Sequence, residues 1–192
     1  MIGAYLPLKS YNYPVYDNMN AVSHNARLIA NWINHNYPSD VTKHLLCRGS
    51  SGLTIATMVW SLVENCEIMF CRKEPSHDVS KGFSYNAIRK IELDDVLIIV
   101  DDFIATGETV ETIVDEYVET WQEYYANADM KNLPVKHIDA MIVLTTMYKL
   151  QRLRLTKIPI YVDRIVSCLD ELRDAEQIVW EEASERTGFF PF

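Results

Sequence analysis

The residues best suited to chemistry form one run near the middle of the chain, residues 97–109. Its apolar first part, 97–100, leads into two adjacent carboxylates, Asp101 and Asp102. Carboxylates accept hydrogen bonds from sugar hydroxyls and can also order Mg²⁺ through water. The next residues suit a phosphate group, because a loop that opens a helix presents amides without intrahelical partners. They are Ala105, Thr106, Gly107, Glu108 and Thr109.

A purely structural interpretation of the same run stays open. The two acids would then cap the next turn of the chain, and Thr106 to Thr109 would be an ordinary helix start. Each piece is common by itself, but the joint pattern is much rarer. We therefore favour a site that binds a ribose phosphate across both halves of the run.

Two further polar clusters each follow a short apolar segment. The first is Arg48, Gly49, Ser50, Ser51 and Gly52, in which two glycines permit backbone conformations that other residues rarely adopt. A tight strand-to-helix turn explains that cluster equally well. The second is the pair Arg72 and Lys73, whose two positive charges could neutralise an anion.

Alternating strands and helices are needed to position these clusters. Apolar segments of strand length occur at 44–47, 67–72, 96–100, 138–144 and 158–162, and helical periodicity occurs at 20–35, at 53–65 and from about Gly107. This order predicts an α/β fold with a central parallel sheet flanked by helices. Ligands bind at the carboxyl ends of such strands, so 48–52 and 101–109 should face one crevice. The polar stretch 73–86 has no periodicity and predicts a mobile loop.

Composition narrows the classes of function. With 192 residues, 48% of them apolar, the chain can bury one core, and we expect a single domain over 1–192 with its core at about 41–162. A net charge of −9 argues against nucleic acid as a partner. The four cysteines lack the spacing of a zinc site. No apolar run approaches the ~20 residues of a membrane span, so we expect a cytoplasmic protein without a membrane partner.

The run 97–109 resembles the signature that binds 5-phosphoribosyl-1-pyrophosphate (PRPP) in type I phosphoribosyltransferases: a hydrophobic strand, two acids, then Ala-Thr-Gly-x-Thr. This resemblance implies their parallel-sheet fold, with a small hood formed by the termini at about 1–19 and 163–192. It also implies that 105–109 bind the 5-phosphate, while Asp101 and Asp102 serve the ribose and Mg²⁺.

The other clusters extend the resemblance. Residues 48–52 are similar to the family's pyrophosphate loop, and Arg72 with Lys73 matches the orotate and adenine branches, which adds these two cations to the catalytic set. His77 and Lys81 lie in a segment similar to the family's flexible catalytic loop, although its sequence departs from the orotate pattern and a solvated surface loop explains them equally well.

The resemblance implies a Mg²⁺-dependent homodimer that transfers the phosphoribosyl group of PRPP to a purine or an orotate-like base and releases pyrophosphate, as in nucleobase salvage. Two alternatives remain. A non-catalytic PRPP sensor would use the same motif for regulation. An unrelated Mg²⁺-dependent phosphohydrolase would use Asp101 as its nucleophile. The sequence does not identify the acceptor base.

Overall fold

The computed structural model describes residues 19–73, 82–104, 107–128, 133–146 and 156–166, with the backbone alone at 19–21, 102–104 and 144–146. Its five strands form one parallel sheet in the order β2-β1-β3-β4-β5. They are β1 Lys43–Arg48, β2 Cys66–Cys71, β3 Val96–Ile104, β4 Ala140–Thr146 and β5 Ile165–Val166. The helices are α1 Met19–Asn36, α2 Gly49–Trp60, α3 Tyr85–Arg89, α4 Glu108–Asn127 and α5 Ile158–Tyr161.

Helices cover both faces of the sheet, which confirms the predicted α/β class. One core lies between the sheet and the helices α1 and α2, and it contains Leu45, Ile98 and Val100. The other lies on the side of α3 and α4, and it contains Leu46 and Ile99. Successive strand residues thus enter opposite cores, which is why these strands are apolar throughout rather than alternating.

The strand order reverses direction between β1 and β3. From β1 the chain passes through α2 to β2 on one side, and it then returns through α3 to β3 on the other side of β1. Such a reversal leaves a crevice outside the carboxyl ends of the two strands. This crevice is the place where residues 48–52 and the acid pair were predicted to meet.

Three elements differ from the sequence-based expectation. Helix α2 begins directly at Gly49, four residues before the predicted start, and ends at Trp60. Strand β3 continues through both acids to Ile104 instead of ending before them. Helix α3 begins inside the stretch predicted as a loop, 73–86, and extends beyond it to Arg89. Its start is capped by the side chain of Ser84, which accepts a hydrogen bond from the amide of Ala87.

The segment 158–162 was predicted as a strand, and that prediction is wrong. Residues Ile158–Tyr161 form helix α5, with Pro159 in its first turn, and the last strand lies further on at Ile165–Val166. The carboxylate of Glu111 in α4 accepts hydrogen bonds from the amides of Thr156, Lys157 and Ile158. This contact caps the helix from outside and outweighs the strand preference of its β-branched residues.

The sheet reaches beyond the predicted core boundary at residue 162, because β5 pairs with β4. Of the predicted hood segments, 1–19 and 163–192, residues 1–18 and 167–192 lie outside the described residues, while Met19 begins α1 and 165–166 form β5. Among the helices that the structure describes, none has both the length and the apolar character needed to cross a membrane.

Candidate active site

The first part of the site is the amino end of α2. Arg48 ends β1, and Gly49 then adopts a φ of +73°, a left-handed conformation that favours glycine. The chain therefore enters the helix without a connecting loop. The cap residue Arg48 makes no side-chain hydrogen bond to the first amides of the helix. Since such amides have no intrahelical partners and carry the positive end of the helix dipole, this end of α2 suits an anion.

Asp101 lies against the same turn of helix. A Cβ atom at Gly52 would stand 3.4 Å from Oδ1 of Asp101 and 3.7 Å from the carbonyl oxygen of Val100. A methyl group at this position would make ordinary contacts, whereas a larger side chain would compete with the carboxylate for the same space. The predicted clusters 48–52 and 101–109 therefore do meet at one edge of the sheet, as the topology predicted.

The surroundings of Asp101 also affect a neighbouring thiol. Asp101 is 4% exposed. Burial, and then the negative charge of Asp101, raise the pKa of Cys47 to about 12. Cys47 therefore remains a neutral thiol at ordinary pH, which excludes it as a nucleophile, since the thiolate is the reactive form.

Of the two predicted cations at the end of β2, Lys73 lies beside the amino end of α2, and Arg72 takes part through its backbone. The ammonium nitrogen of Lys73 lies 3.6 Å from the position that a Cβ atom would occupy at Gly49. The Arg48 guanidinium donates from Nη1 to the Arg72 carbonyl oxygen at 3.2 Å and to Sγ of Cys71 at 3.0 Å. Arg48 thus ties the ends of β1 and β2 together, while Lys73 adds a positive charge beside the helix terminus.

A second helix terminus comes after the acid pair. Gly107 precedes α4 with a φ of +91°, and its carbonyl oxygen accepts the first helical hydrogen bond from the amide of Glu111 at 3.0 Å. Glu108 and Thr109 are exposed in the first turn. This end of α4 also suits an anion, because the left-handed glycine leads directly into helical amides without intrahelical partners.

The structure thus brings together four of the predicted site residues: Gly49, Gly52, Lys73 and Asp101. Ser50 is exposed and Ser51 half-buried in the first turn of α2. Four others, Ala105, Thr106, His77 and Lys81, lie outside the described residues, and Asp102 is described by its backbone in β3. Within the described part of the chain, no three side chains of His, Cys, Asp or Glu form a group that could hold a metal ion.

Two acids in α4 were not singled out from the sequence. Glu111 caps α5, and nothing in the sequence distinguishes it from an ordinary acid in the first turn of a helix. Glu116 is 7% exposed and packs against Gly82. The sequence could have predicted the burial of Glu116, because at helical spacing it lies among Ile113, Tyr117 and Thr120 on the buried side of the helix.

Comparisons with known proteins agree with this architecture. The family model PRTase-CE matches residues 67–191. The structure is similar to adenine phosphoribosyltransferase from Trypanosoma brucei, with 13% identity over 79% of this chain and 65% of that one and a TM-score of 0.49. It is also similar to a hypoxanthine-guanine phosphoribosyltransferase from Bacillus anthracis, with 13% identity over 76% and 77% of the two chains and a TM-score of 0.43. A search of curated proteins finds no match.

Proposed function

Because this chain belongs to the PRTase-CE family, we propose that it transfers the 5-phosphoribosyl group of PRPP to a nucleobase and releases pyrophosphate. The observation that carries the proposal is the meeting of Asp101, the amino end of α2 and the Lys73 ammonium at the carboxyl edge of the sheet. The carboxylate of Asp101 can accept hydrogen bonds from sugar hydroxyls. The helix terminus and Lys73 supply positive charge for a diphosphate group.

In this proposal the pyrophosphate group binds at the first turn of α2. Breaking the bond between the anomeric carbon and the pyrophosphate oxygen leaves additional negative charge on the leaving group. The helix amides at 49–51 and Lys73 are fixed in advance where that charge develops, so they stabilise the transition state more than the ground state. A nitrogen of the base then bonds to the anomeric carbon and loses its proton.

The remaining parts of PRPP occupy the other end of the site. The 5-phosphate binds at the first turn of α4, residues 107–109, and the ribose hydroxyls donate hydrogen bonds to Asp101. The protein forms no covalent bond to the sugar. Its contribution is to hold the anomeric carbon between a fixed leaving group and the incoming base.

Mg²⁺ suits the donor set of this site. It commonly binds through one or two carboxylates together with substrate phosphates, and it retains several waters. Asp101 and Asp102 would hold it, and the ion would offset the charge of the pyrophosphate. Carboxylates close to such a cation remain ionised, so we assign both acids to binding rather than to proton transfer.

The acceptor in this proposal is a purine or an orotate-like base, and the active form is a cytoplasmic homodimer. The acceptor and the oligomeric state can both be measured directly. Light scattering on the purified chain gives the oligomeric state. Product analysis by mass spectrometry identifies the nucleotide formed with each base.

The deciding experiment is pyrophosphate release from Mg²⁺-PRPP, with and without orotate, uracil, adenine, guanine, hypoxanthine and xanthine. We expect release that depends on one class of base and stops when Mg²⁺ is chelated. Release without any base would favour a phosphohydrolase instead. Saturable PRPP binding without release would favour a PRPP sensor, and the absence of both would refute the proposal.

A further inference from the structure

A buried acid in α4 has no part in the reaction described so far. Glu116 is 7% exposed, although it belongs to the helix face that packs on the sheet beside Ile113 and Tyr117. Burying a carboxylate costs free energy that an apolar residue at the same position would not cost. An acid at this position therefore suggests a specific task.

Glu116 contacts the backbone of Gly82. A Cβ atom at Gly82 would stand 2.5 Å from Oε2 of Glu116 and 3.3 Å from its Cβ and Cδ atoms. Gly82 also adopts a φ of +83°, which favours glycine. The contact thus depends on glycine at 82 for two independent reasons, space and backbone conformation.

The residues around Gly82 are anchored on both sides. Phe83 is buried and meets the ring of Tyr117 edge to face, with centroids 6.4 Å apart. On the other side, Gly82 pairs with Arg72 in an isolated antiparallel bridge, with hydrogen bonds of 2.9 and 3.2 Å. The chain segment that returns towards α3 is therefore held between α4 and the end of β2.

Arg72 connects Gly82 to the candidate site. Its carbonyl oxygen accepts hydrogen bonds from the amide of Gly82 and from Nη1 of Arg48, both at 3.2 Å. The next residue is Lys73, whose ammonium lies beside Gly49 at the amino end of α2. A continuous set of contacts thus runs from Glu116 through Gly82 and Arg72 to Lys73.

We propose that Glu116 is a positioning residue, which through Gly82 and Arg72 holds Lys73 beside the amino end of α2. The role of that ammonium, neutralising pyrophosphate, rests on the proposed function. The mechanical link rests on contacts alone. One measurement tests the mechanical link and another tests pyrophosphate binding, so the positioning role and the proposed function can fail separately.

The first readout is the alkylation rate of Cys71 by iodoacetamide, followed by mass spectrometry. Cys71 is buried directly before Arg72, and Cys47 is buried in the other core. Gly82→Ala should make Cys71 react about tenfold faster through local opening, with little change at Cys47. Adding Glu116→Ala makes space for the new methyl group, but it keeps the strained backbone at residue 82 and removes the support, so Cys71 should still react at least a few-fold faster than in the native chain. Glu119→Ala, at an exposed position on the same helix, is the control and should alter neither rate.

Equal acceleration at both thiols would mean that Gly82→Ala loosens the whole fold, and the inference would be overturned. It would also be overturned if neither rate changed in Gly82→Ala, or if Glu116→Ala alone left the Cys71 rate at its native value. Glu116→Ala alone should accelerate Cys71 a few-fold, because the support under Gly82 is removed while the glycine backbone is kept.

The second readout is binding of Mg²⁺-pyrophosphate by calorimetry. Gly82→Ala should weaken binding about tenfold and Glu116→Ala a few-fold, whereas Glu119→Ala should bind like the native chain. Native pyrophosphate binding that is unchanged in Gly82→Ala would overturn the inference. If the native chain binds neither pyrophosphate nor PRPP, the proposed function fails, and the Cys71 rates alone decide the positioning role.

Discussion

The two edges of the sheet use their charged residues differently. At the amino edge, buried and half-buried polar side chains are bonded to groups of the fold itself. Lys43 donates to the carbonyl oxygen of Pro38, and Asp139 accepts from the amide of Leu97 at 2.8 Å. Oδ2 of Asp95 is 2.8 Å from Nε2 of His44, and it also accepts from the amide of Glu92.

At the carboxyl edge, the chain instead brings backbone amides and charges to one place. Two left-handed glycines, Gly49 and Gly107, start helices at this edge. Lys73 and Asp101 each lie against a glycine of α2. In our proposal the same sheet supplies stability at one edge and a ligand site at the other, so matched substitutions should separate the two effects.

The largest effect is expected from Asp101→Asn at the carboxyl edge. Removing the charge weakens the hold on the ribose and on Mg²⁺, so kcat/KM should fall about a hundredfold while a slow reaction remains. Steady-state kinetics measure the fall, and thermal unfolding of the variant shows separately how far the substitution affects the fold. Full activity in this variant would contradict the proposed site, and complete loss would favour the phosphohydrolase alternative.

The matched change at the amino edge is Asp95→Asn, which should have the opposite profile. The neutral amide weakens the bonds to His44 and to the amide of Glu92, so unfolding should become easier by about 2–3 kcal/mol. Urea titration measures this change, and pyrophosphate release below the melting temperature should be preserved. Asp94→Asn, its exposed neighbour, serves as control; a similar loss there would break the comparison between the edges.

At alkaline pH, the free energy of unfolding should depend on the Cys47 thiol next to Asp101. Cys47 ionises near pH 9 in the unfolded chain, but its folded pKa is about 12. The neutral thiol therefore contributes fully to the free energy of unfolding below pH 9. That contribution is lost as pH rises towards 12, and the free energy of unfolding falls by up to about 1.4 kcal/mol per pH unit. Cys47→Ala should flatten the fall in unfolding free energy, measured by urea titration from pH 9 to 11. Ile55→Val, in the same core, should leave that slope unchanged.

The smallest effects are expected from Gly52→Ala in α2, which should change stability and PRPP binding in opposite directions. Gly52→Ala should stabilise the helix by about 0.5–1 kcal/mol, because alanine loses less backbone entropy than glycine. Its methyl group would meet Oδ1 of Asp101 at 3.4 Å, so PRPP binding should weaken about threefold by calorimetry. Thr57→Ala, at an exposed position of the same helix, should leave PRPP binding intact. Unchanged PRPP binding in Gly52→Ala would place the ligand elsewhere.

The sequence was sufficient to predict the class of fold and the meeting of the clusters 48–52 and 101–109 at one edge of the sheet. Unbroken apolar strands at 44–47 and 96–100 can only be buried on both faces, and parallel strands bring the residues after their carboxyl ends to one edge of the sheet. The positions of Gly52 and Asp101 confirm that convergence. The roles of the individual site residues stay predictions.

The errors arose where distant contacts outweigh local preference. Ile158, Ile160 and Val162 alternate as in a strand, but Glu111, more than forty positions earlier, bonds the amides that start α5. Helix α3 depended on a serine cap that the sequence did contain at Ser84, within a stretch judged by its polarity alone. The contact of Glu116 with Gly82 joins residues that no local pattern connects.

The bond between Glu111 and the start of α5 also has an evolutionary consequence. The chain leaves the sheet at Thr146 and is fastened again at Thr156 by a helix whose first turn faces the 5-phosphate in our proposal. Substitutions, insertions and deletions in 147–155 would therefore act between two fixed points. Selection could change this segment without moving the first turn of α4.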